Sequence, residues 1–102
     1  MCIRDSGEAA ARGRGVSLKD NQVLSREGRG APRVEGQIGF SALRGGGVIG
    51  DHDVSITSEL EMLTLSHRAF DRSVFASGAV AAALWAAKQP KGLYDMKDML
   101  GL

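Results

Sequence analysis

The feature that most constrains the fold is a change in hydrophobic periodicity near residue 70. Before this point, three segments alternate apolar and polar residues with a period of two, which is typical of strands with one buried face. These segments are Gln37–Leu43, Val48–Ile56 and Leu60–Ser66. Residues 72–88 are instead alanine-rich and follow a helical period. The pattern predicts an α/β fold, with a mixed, largely antiparallel sheet covered on one face by a C-terminal helix.

Short glycine-rich or polar segments separate the three predicted strands, so an antiparallel meander is the simplest topology. Phe40, Val54 and Leu65 are expected to contribute to its buried surface, and Trp85 to the apolar stripe of the helix. Val23–Leu24 is a further possible short strand within a loop-like region. The closing residues, after a proline and a glycine, predict a short final helical turn or two.

The chain is predicted to divide into a leader, residues 1–6, and one domain, residues 7–102. The leader "MCIRDS" fits neither a capping pattern nor a strand, and it resembles a translated sequencing-adapter remnant. The alternative is a frayed N-terminus. Residues 8–12 are good helix formers, and Gly13 and Gly15 indicate where that helix stops.

Composition excludes several classes of function. With 102 residues the chain is at most one domain, and its 43% apolar and 25% charged content is ordinary for a globular protein. A net charge of +1 indicates no nucleic-acid partner. No apolar run approaches the roughly 20 residues that span a bilayer, so no membrane partner is expected. The single cysteine, Cys2, suits a reducing cytoplasm.

Two local motifs resemble ligand-binding sequences, but each has a simpler interpretation. "GGGVIG" at residues 45–50 matches the dinucleotide pattern in letters, but a strand-like segment follows it instead of the required helix, which favours a turn. His52 lies between Asp51 and Asp53, yet in a strand both acids point to the opposite face. A hydrogen-bonded histidine is therefore favoured and no metal is expected. His67 has no nucleophile at a recognisable spacing.

Three charged residues, Arg68, Asp71 and Arg72, stand at the junction between the last strand and the helix. One interpretation is that all three are simply solvated. The other is that one arginine meets an anionic ligand or another domain, because its planar guanidinium suits carboxylate and phosphate. Either Asp71 or Ser73 can cap the helix.

Several motifs in a fixed order resemble one known family. "GQIGFSALRGGGVIGDHDV", "E-x-L-x-L-S-H-R-A", "R-S-V-F-A-S-G-A-V-x-A-A-x-W" and "GLYDMKDMLGL" together resemble the C-terminal part of the 4-hydroxy-tetrahydrodipicolinate reductases, also called dihydrodipicolinate reductases. The resemblance extends over residues 7–102 without a large insertion. Such enzymes belong to bacterial lysine and diaminopimelate synthesis.

The resemblance implies a two-domain cytoplasmic reductase, in which an N-terminal Rossmann domain binds NADH or NADPH. The C-terminal domain binds the small-molecule substrate and builds a homotetramer through its sheet. The family's glycine-rich loop, His-His-x-x-Lys segment and Ser-Gly-Thr would precede Gly7, so no catalytic residue is assigned here. The chain alone is then expected to be inactive, with no cofactor bound.

Two positions carry over from the family as cofactor-proximal, namely Arg72 and Phe75. The sequence departs from the family's usual small residues at Phe70 and Asp71, and from an often basic residue at Met62. The alternative to an enzyme fragment is a self-contained β-sheet interaction or oligomerisation module without catalysis.

Overall fold

The computed structural model describes residues 2–102 and combines four helices with four strands in that range. The elements in chain order are α1 (Ile3–Arg14), α2 (Leu18–Asn21), β1 (Gln22–Val23), β2 (Ile38–Gly39), β3 (Gly50–Thr57), β4 (Met62–Ala69), α3 (Ser73–Ala86) and α4 (Met96–Leu100). The described chain forms two compact units, residues 2–68 and Ala69–Leu102. The predicted α/β class is confirmed. No helix in the described range is long and apolar enough to span a membrane.

Helix α1 anchors the small core of the N-terminal unit. It ends as predicted at Gly15, which adopts φ 67° and donates its N–H to the carbonyls of Ala11 and Arg12. Gly7 and Ala11, one turn apart, are buried, as is Leu18. The helix begins at Ile3, so the expected leader is helical from that residue on, and Met1 lies outside the described residues. The assignment of residues 1–6 as foreign stays a prediction.

The first sheet is a two-residue parallel pair. Gln22 aligns with Ile38 and Val23 with Gly39, and the N–H of Phe40 donates to the carbonyl of Val23 at 2.8 Å. The possible strand near Val23 is therefore confirmed, shifted by one residue.

The second sheet is the hairpin of β3 and β4. A four-residue connection permits only antiparallel pairing, since parallel strands need a dozen or more residues between them. The Ser58 hydroxyl accepts the N–H groups of Leu60 and Glu61 at 3.2 and 3.1 Å, and this turn moves the start of β4 beyond Leu60. Against the predicted Leu60–Ser66, β4 therefore starts two residues later, and it ends three residues later, at Ala69.

The predicted three-stranded meander was wrong. The ladder order places β2 beside β1 and β3 beside β4, in separate sheets. The segment between β2 and β3 contains Gly45, Gly46 and Gly47, and the N–H of Val48 meets the carbonyl of Gly45 at 3.4 Å in a turn. A glycine run contributes few side chains to a ladder and costs more backbone entropy to order. The "GGGVIG" motif thus leads into a strand, although its turn joins two sheets and not one hairpin.

One face of the β3–β4 hairpin is apolar. The contacts Ser55–Thr64 and Asp51–Arg68 fit a single antiparallel register, in which Val54 lies opposite Leu65. By alternation, the following residues share this side, which we call the hairpin face: His52, Val54, Ile56, Leu63, Leu65 and His67. The other side is polar apart from Met62.

Burial on the hairpin face is uneven. On this face Val54 is half-buried, but Leu63 and Leu65 are 59% and 60% exposed, and Phe40, which follows β2, is half-buried as predicted. The prediction that Leu65 is buried was wrong for this chain, because β4 is an outer strand that no other element of residues 2–68 covers. The cover of this face by the C-terminal helix stays a prediction.

The C-terminal unit consists of α3, α4 and the turn that joins them. The half-buried Trp85 ring meets Tyr94 edge to face, with centroids 5.3 Å apart, and the Tyr94 hydroxyl donates to the carbonyl of Pro90 at 2.8 Å. Asp95 and Asp98 form a capping box at the start of α4. The predicted final helical turn is confirmed. Helix α3 carries no charged side chain in its 14 residues, and none of them is buried within the described chain.

Candidate functional site

The start of α3 holds both residues predicted to lie near a cofactor. The carbonyl of Arg72 accepts the N–H of Phe75 at 3.0 Å and that of Ala76 at 3.2 Å. Phe75 follows Arg72 by three residues, so the two project from the same side of the helix. The Phe75 ring is 42% exposed, and the Arg72 side chain is exposed as well. The structure therefore leaves both side chains exposed at the start of α3.

The Asp71 carboxylate caps this helix from one residue before its N-cap position, because the N-cap residue, Arg72, makes no side-chain capping bond. Its Oδ1 accepts the backbone N–H of Ser73 at 2.7 Å. Of the two candidate caps, Asp71 thus supplies the bond. The Ser73 hydroxyl and then the Ser73 backbone N–H lower the pKa of the Asp71 carboxyl, against a weaker opposing effect of desolvation. Of these two groups, the backbone N–H makes the short contact. Asp71 is fully exposed and remains ionised at neutral pH.

The three-residue charge cluster separates into three different roles. The Nε of Arg68 lies 3.0 Å from both carboxylate oxygens of Asp51 across the hairpin, in the N-terminal unit. Both side chains are exposed, so this pair contributes about 0–1 kcal/mol. Asp71 caps α3. Within residues 2–102 the Arg68–Asp51 pair is the one ion pair, which leaves the Arg72 guanidinium outside any.

The histidines do not form a ligand set in the structure. Ser6 Oγ and His52 Nε2 are 2.8 Å apart, so the favoured hydrogen-bonded interpretation of His52 is confirmed, with α1 and β3 as the elements it joins. Asp51 turns away to Arg68, and His67 is exposed. Among residues 2–102, no three side chains of the metal-binding types lie together.

A half-open groove of about 210 Å³ runs beside the Ser6–His52 bond. Phe40 and Ile56 supply apolar walls, and Arg33 lies at the polar side. Arg33 is engaged with the chain itself, because its Nη2 donates to the carbonyl of Gln37 at 3.3 Å. Sequence reasoning did not anticipate this groove. The period-two pattern identified its walls, but no motif indicated that α1 would lie against β3.

A pH effect follows from the Asp71 bond. Folding lowers the pKa of this carboxyl, so its contribution to helix stability is complete at neutral pH and is lost as pH falls below the ordinary value of 3.8. We expect the wild-type chain to lose helical signal in acid more than Asp71→Asn, because asparagine keeps the acceptor oxygen and does not titrate. Far-ultraviolet circular dichroism from neutral pH to about pH 2 measures this difference. Identical acid profiles would contradict the assignment.

Comparison with known proteins places these features in a family context. The sequence profile described as "Dihydrodipicolinate reductase, C-terminus" matches residues 4–100. The chain is 60% identical over 96 residues to the 4-hydroxy-tetrahydrodipicolinate reductase of Sinorhizobium medicae. The aligned residues make up 94% of this chain and 35% of that protein. It is 56% identical over 95 residues to the Caulobacter vibrioides protein of that name, covering 93% of this chain and 37% of the relative. The Brucella abortus relative is 57% identical over 96 residues, 94% of this chain and 36% of its own length.

Proposed function

Because the chain belongs to the dihydrodipicolinate reductase family through that family's C-terminal domain, we propose that it is the C-terminal part of a 4-hydroxy-tetrahydrodipicolinate reductase. The chain spans just over a third of the length of the curated relatives it matches. The complete enzyme would reduce 4-hydroxy-tetrahydrodipicolinate to tetrahydrodipicolinate with NADH or NADPH. This reaction would serve diaminopimelate and lysine synthesis in the cytoplasm.

The observation that carries this proposal is the extent of the match. The family profile covers nearly the whole chain, including both sheets and the complete α3 and α4. An interaction module unrelated to the reductases would not be expected to keep 60% identity to one of them over 96 residues. A role as part of a nicotinamide-dependent reductase therefore has more support than a role as an interaction module without catalysis.

The residues at the start of α3 fit one part of a dinucleotide cofactor. A guanidinium outside any ion pair in the described chain matches phosphate in charge and shape, and an exposed aromatic ring offers an apolar surface. We assign Arg72 to the anionic part of the cofactor and Phe75 to its nicotinamide end. When bound, the cofactor supplies the hydride. The proposed role of these two side chains is to bind and orient it.

The 102 residues alone are proposed to be inactive. Their only histidines are His52 and His67, so they contain no His-His-x-x-Lys segment, and "GGGVIG" is followed by a strand. Because β3 and not a helix N-terminus follows the glycine run, residues 45–50 do not form a pyrophosphate site of the Rossmann type. Substrate protonation and most cofactor contacts would come from the remainder of the complete enzyme.

The second proposed role is assembly into a homotetramer. The hairpin face is largely exposed at Ile56, Leu63 and Leu65. Helix α3 is apolar on all sides, and none of its residues is buried in the described chain. A helix that is apolar all round is normally buried, and large exposed apolar patches mark interaction sites. Dihedral symmetry gives a closed tetramer from such surfaces.

We expect Arg72→Ala to weaken cofactor use in a complete hybrid enzyme. In this hybrid, the chain replaces the matching 96 residues of the Sinorhizobium medicae reductase. Removing a charged hydrogen-bonding group should raise KM for the nicotinamide cofactor about tenfold. Steady-state oxidation of the reduced cofactor, with each substrate varied in turn, measures this change. Phe75→Ala should raise the same KM.

Arg68→Ala is the matched control, because Arg68 is the same residue type and is already paired with Asp51. It should leave the cofactor KM unchanged. The chain by itself, assayed beside the hybrid, should not oxidise the reduced cofactor. An unchanged cofactor KM in Arg72→Ala, or full turnover by the chain alone, would refute the corresponding part of the proposal.

A further inference from the structure

The backbone around Arg72 is held by side-chain hydrogen bonds from both directions along the helix. Asp71 Oδ1 accepts the N–H of Ser73 at 2.7 Å, and the Ser77 hydroxyl donates to the carbonyl of Ser73 at 2.8 Å. Ser73 is thus restrained at its donor and at its acceptor. Since Arg72 immediately precedes Ser73 and Phe75 lies two residues after it in the first turn of α3, the bonds to Ser73 restrain the backbone that carries both cofactor-proximal side chains.

The Asp71 carboxylate could act on Arg72 in two ways, either as a counter-ion or as a backbone cap. The structure favours the cap. In residues 2–102 no ion pair joins Asp71 to Arg72, whereas the bond from the Ser73 N–H is short. The first N–H groups of a helix lack partners within the helix, and a side-chain acceptor at this point reduces fraying of the first turn.

We propose that Asp71 is a positioning residue for cofactor binding, which acts through Ser73 to keep Arg72 and Phe75 side by side on the first turn of α3. The inference rests on the proposed function, because it takes these two residues as the cofactor-binding pair. Asp71 itself makes no cofactor contact in this proposal. Its acceptor oxygen positions the first turn and its negative charge strengthens that bond, so an uncharged side chain with the same oxygen should substitute for most of the effect.

The test compares Asp71→Ala with Asp71→Asn in the hybrid enzyme. Alanine removes the acceptor, and asparagine keeps it without the charge. We expect Asp71→Ala to raise the cofactor KM about three- to fivefold, the usual size of a lost helix cap, with kcat and the KM for the other substrate unchanged. Asp71→Asn should restore most of the wild-type affinity, because it keeps the acceptor oxygen.

Each other result has a distinct meaning. Equal impairment in Asp71→Asn and Asp71→Ala would assign the effect to charge and overturn the positioning role. An unchanged cofactor KM in Asp71→Ala, beside a raised one in Arg72→Ala, would refute this inference and leave the proposed function intact. An unchanged cofactor KM in Arg72→Ala would refute the cofactor role proposed for Arg72, and with it the premise of this inference. A fall in kcat alone, at constant cofactor KM, would indicate a general structural loss and would also overturn the positioning role.

Discussion

Leu65→Lys should shift the chain from an oligomer towards the monomer. Leu65 lies on the hairpin face beside Leu63, and both side chains are largely exposed in the isolated chain. Burying a leucine in an interface contributes roughly 1.5–3 kcal/mol, and a lysine there would lose this gain and add a desolvation cost. The dissociation constant should therefore rise at least about 10- to 100-fold. Sedimentation velocity over a micromolar concentration series measures it.

Thr64→Lys is the matched control on the same strand. Thr64 Oγ1 lies 3.4 Å from Ser55 Oγ on the polar side of the hairpin. A lysine at position 64 therefore adds charge without reaching the hairpin face. The control should keep the oligomer of the wild-type chain. Monomeric wild-type protein that remains folded at these concentrations would refute the assembly proposal, as would equal dissociation of both variants.

Gly7→Ala should destabilise the N-terminal unit by about 1–3 kcal/mol. A Cβ on Gly7 would overlap Phe40 Cζ and lie 2.9 Å from Phe40 Cε1 and 3.4 Å from Leu18 Cδ1. The added methyl group would force the aromatic ring away from α1, at the point where this helix meets the residue after β2. Urea unfolding followed by circular dichroism gives the change in the free energy of unfolding.

Gly13→Ala provides the opposite expectation in the same helix. A Cβ on Gly13 meets no atom within 4 Å, and the residue does not have positive φ. Alanine should then stabilise α1 by about 0.5–1 kcal/mol through its higher helix propensity. Comparing Gly7→Ala with Gly13→Ala separates the steric clash with Phe40 from the higher helix propensity of alanine. Equal effects of the two substitutions would show that Phe40 does not pack on Gly7 as described.

Local chemistry explains why some elements could be predicted from the amino-acid order. The end of α1 follows from Gly15, which adopts the left-handed conformation that closes a helix at little cost. The start of α3 follows from Asp71, whose short carboxylate can reach an N–H two residues ahead. The family resemblance, now confirmed, also rests on local motifs. Each of these signals needs only neighbouring residues.

Pairing and burial, in contrast, depend on distant residues. The alternation of Ile38 and Phe40 does not indicate whether β2 pairs with β1 or with β3. A period of two distinguishes a buried side from an exposed side, but it does not identify the partner strand. The same pattern made Leu65 look buried, yet its burial requires a surface that residues 2–68 do not supply. The contact between Ser6 and His52 spans 46 positions. This contact joins α1 to β3, and the three-dimensional arrangement sets it, whereas short-range preferences do not.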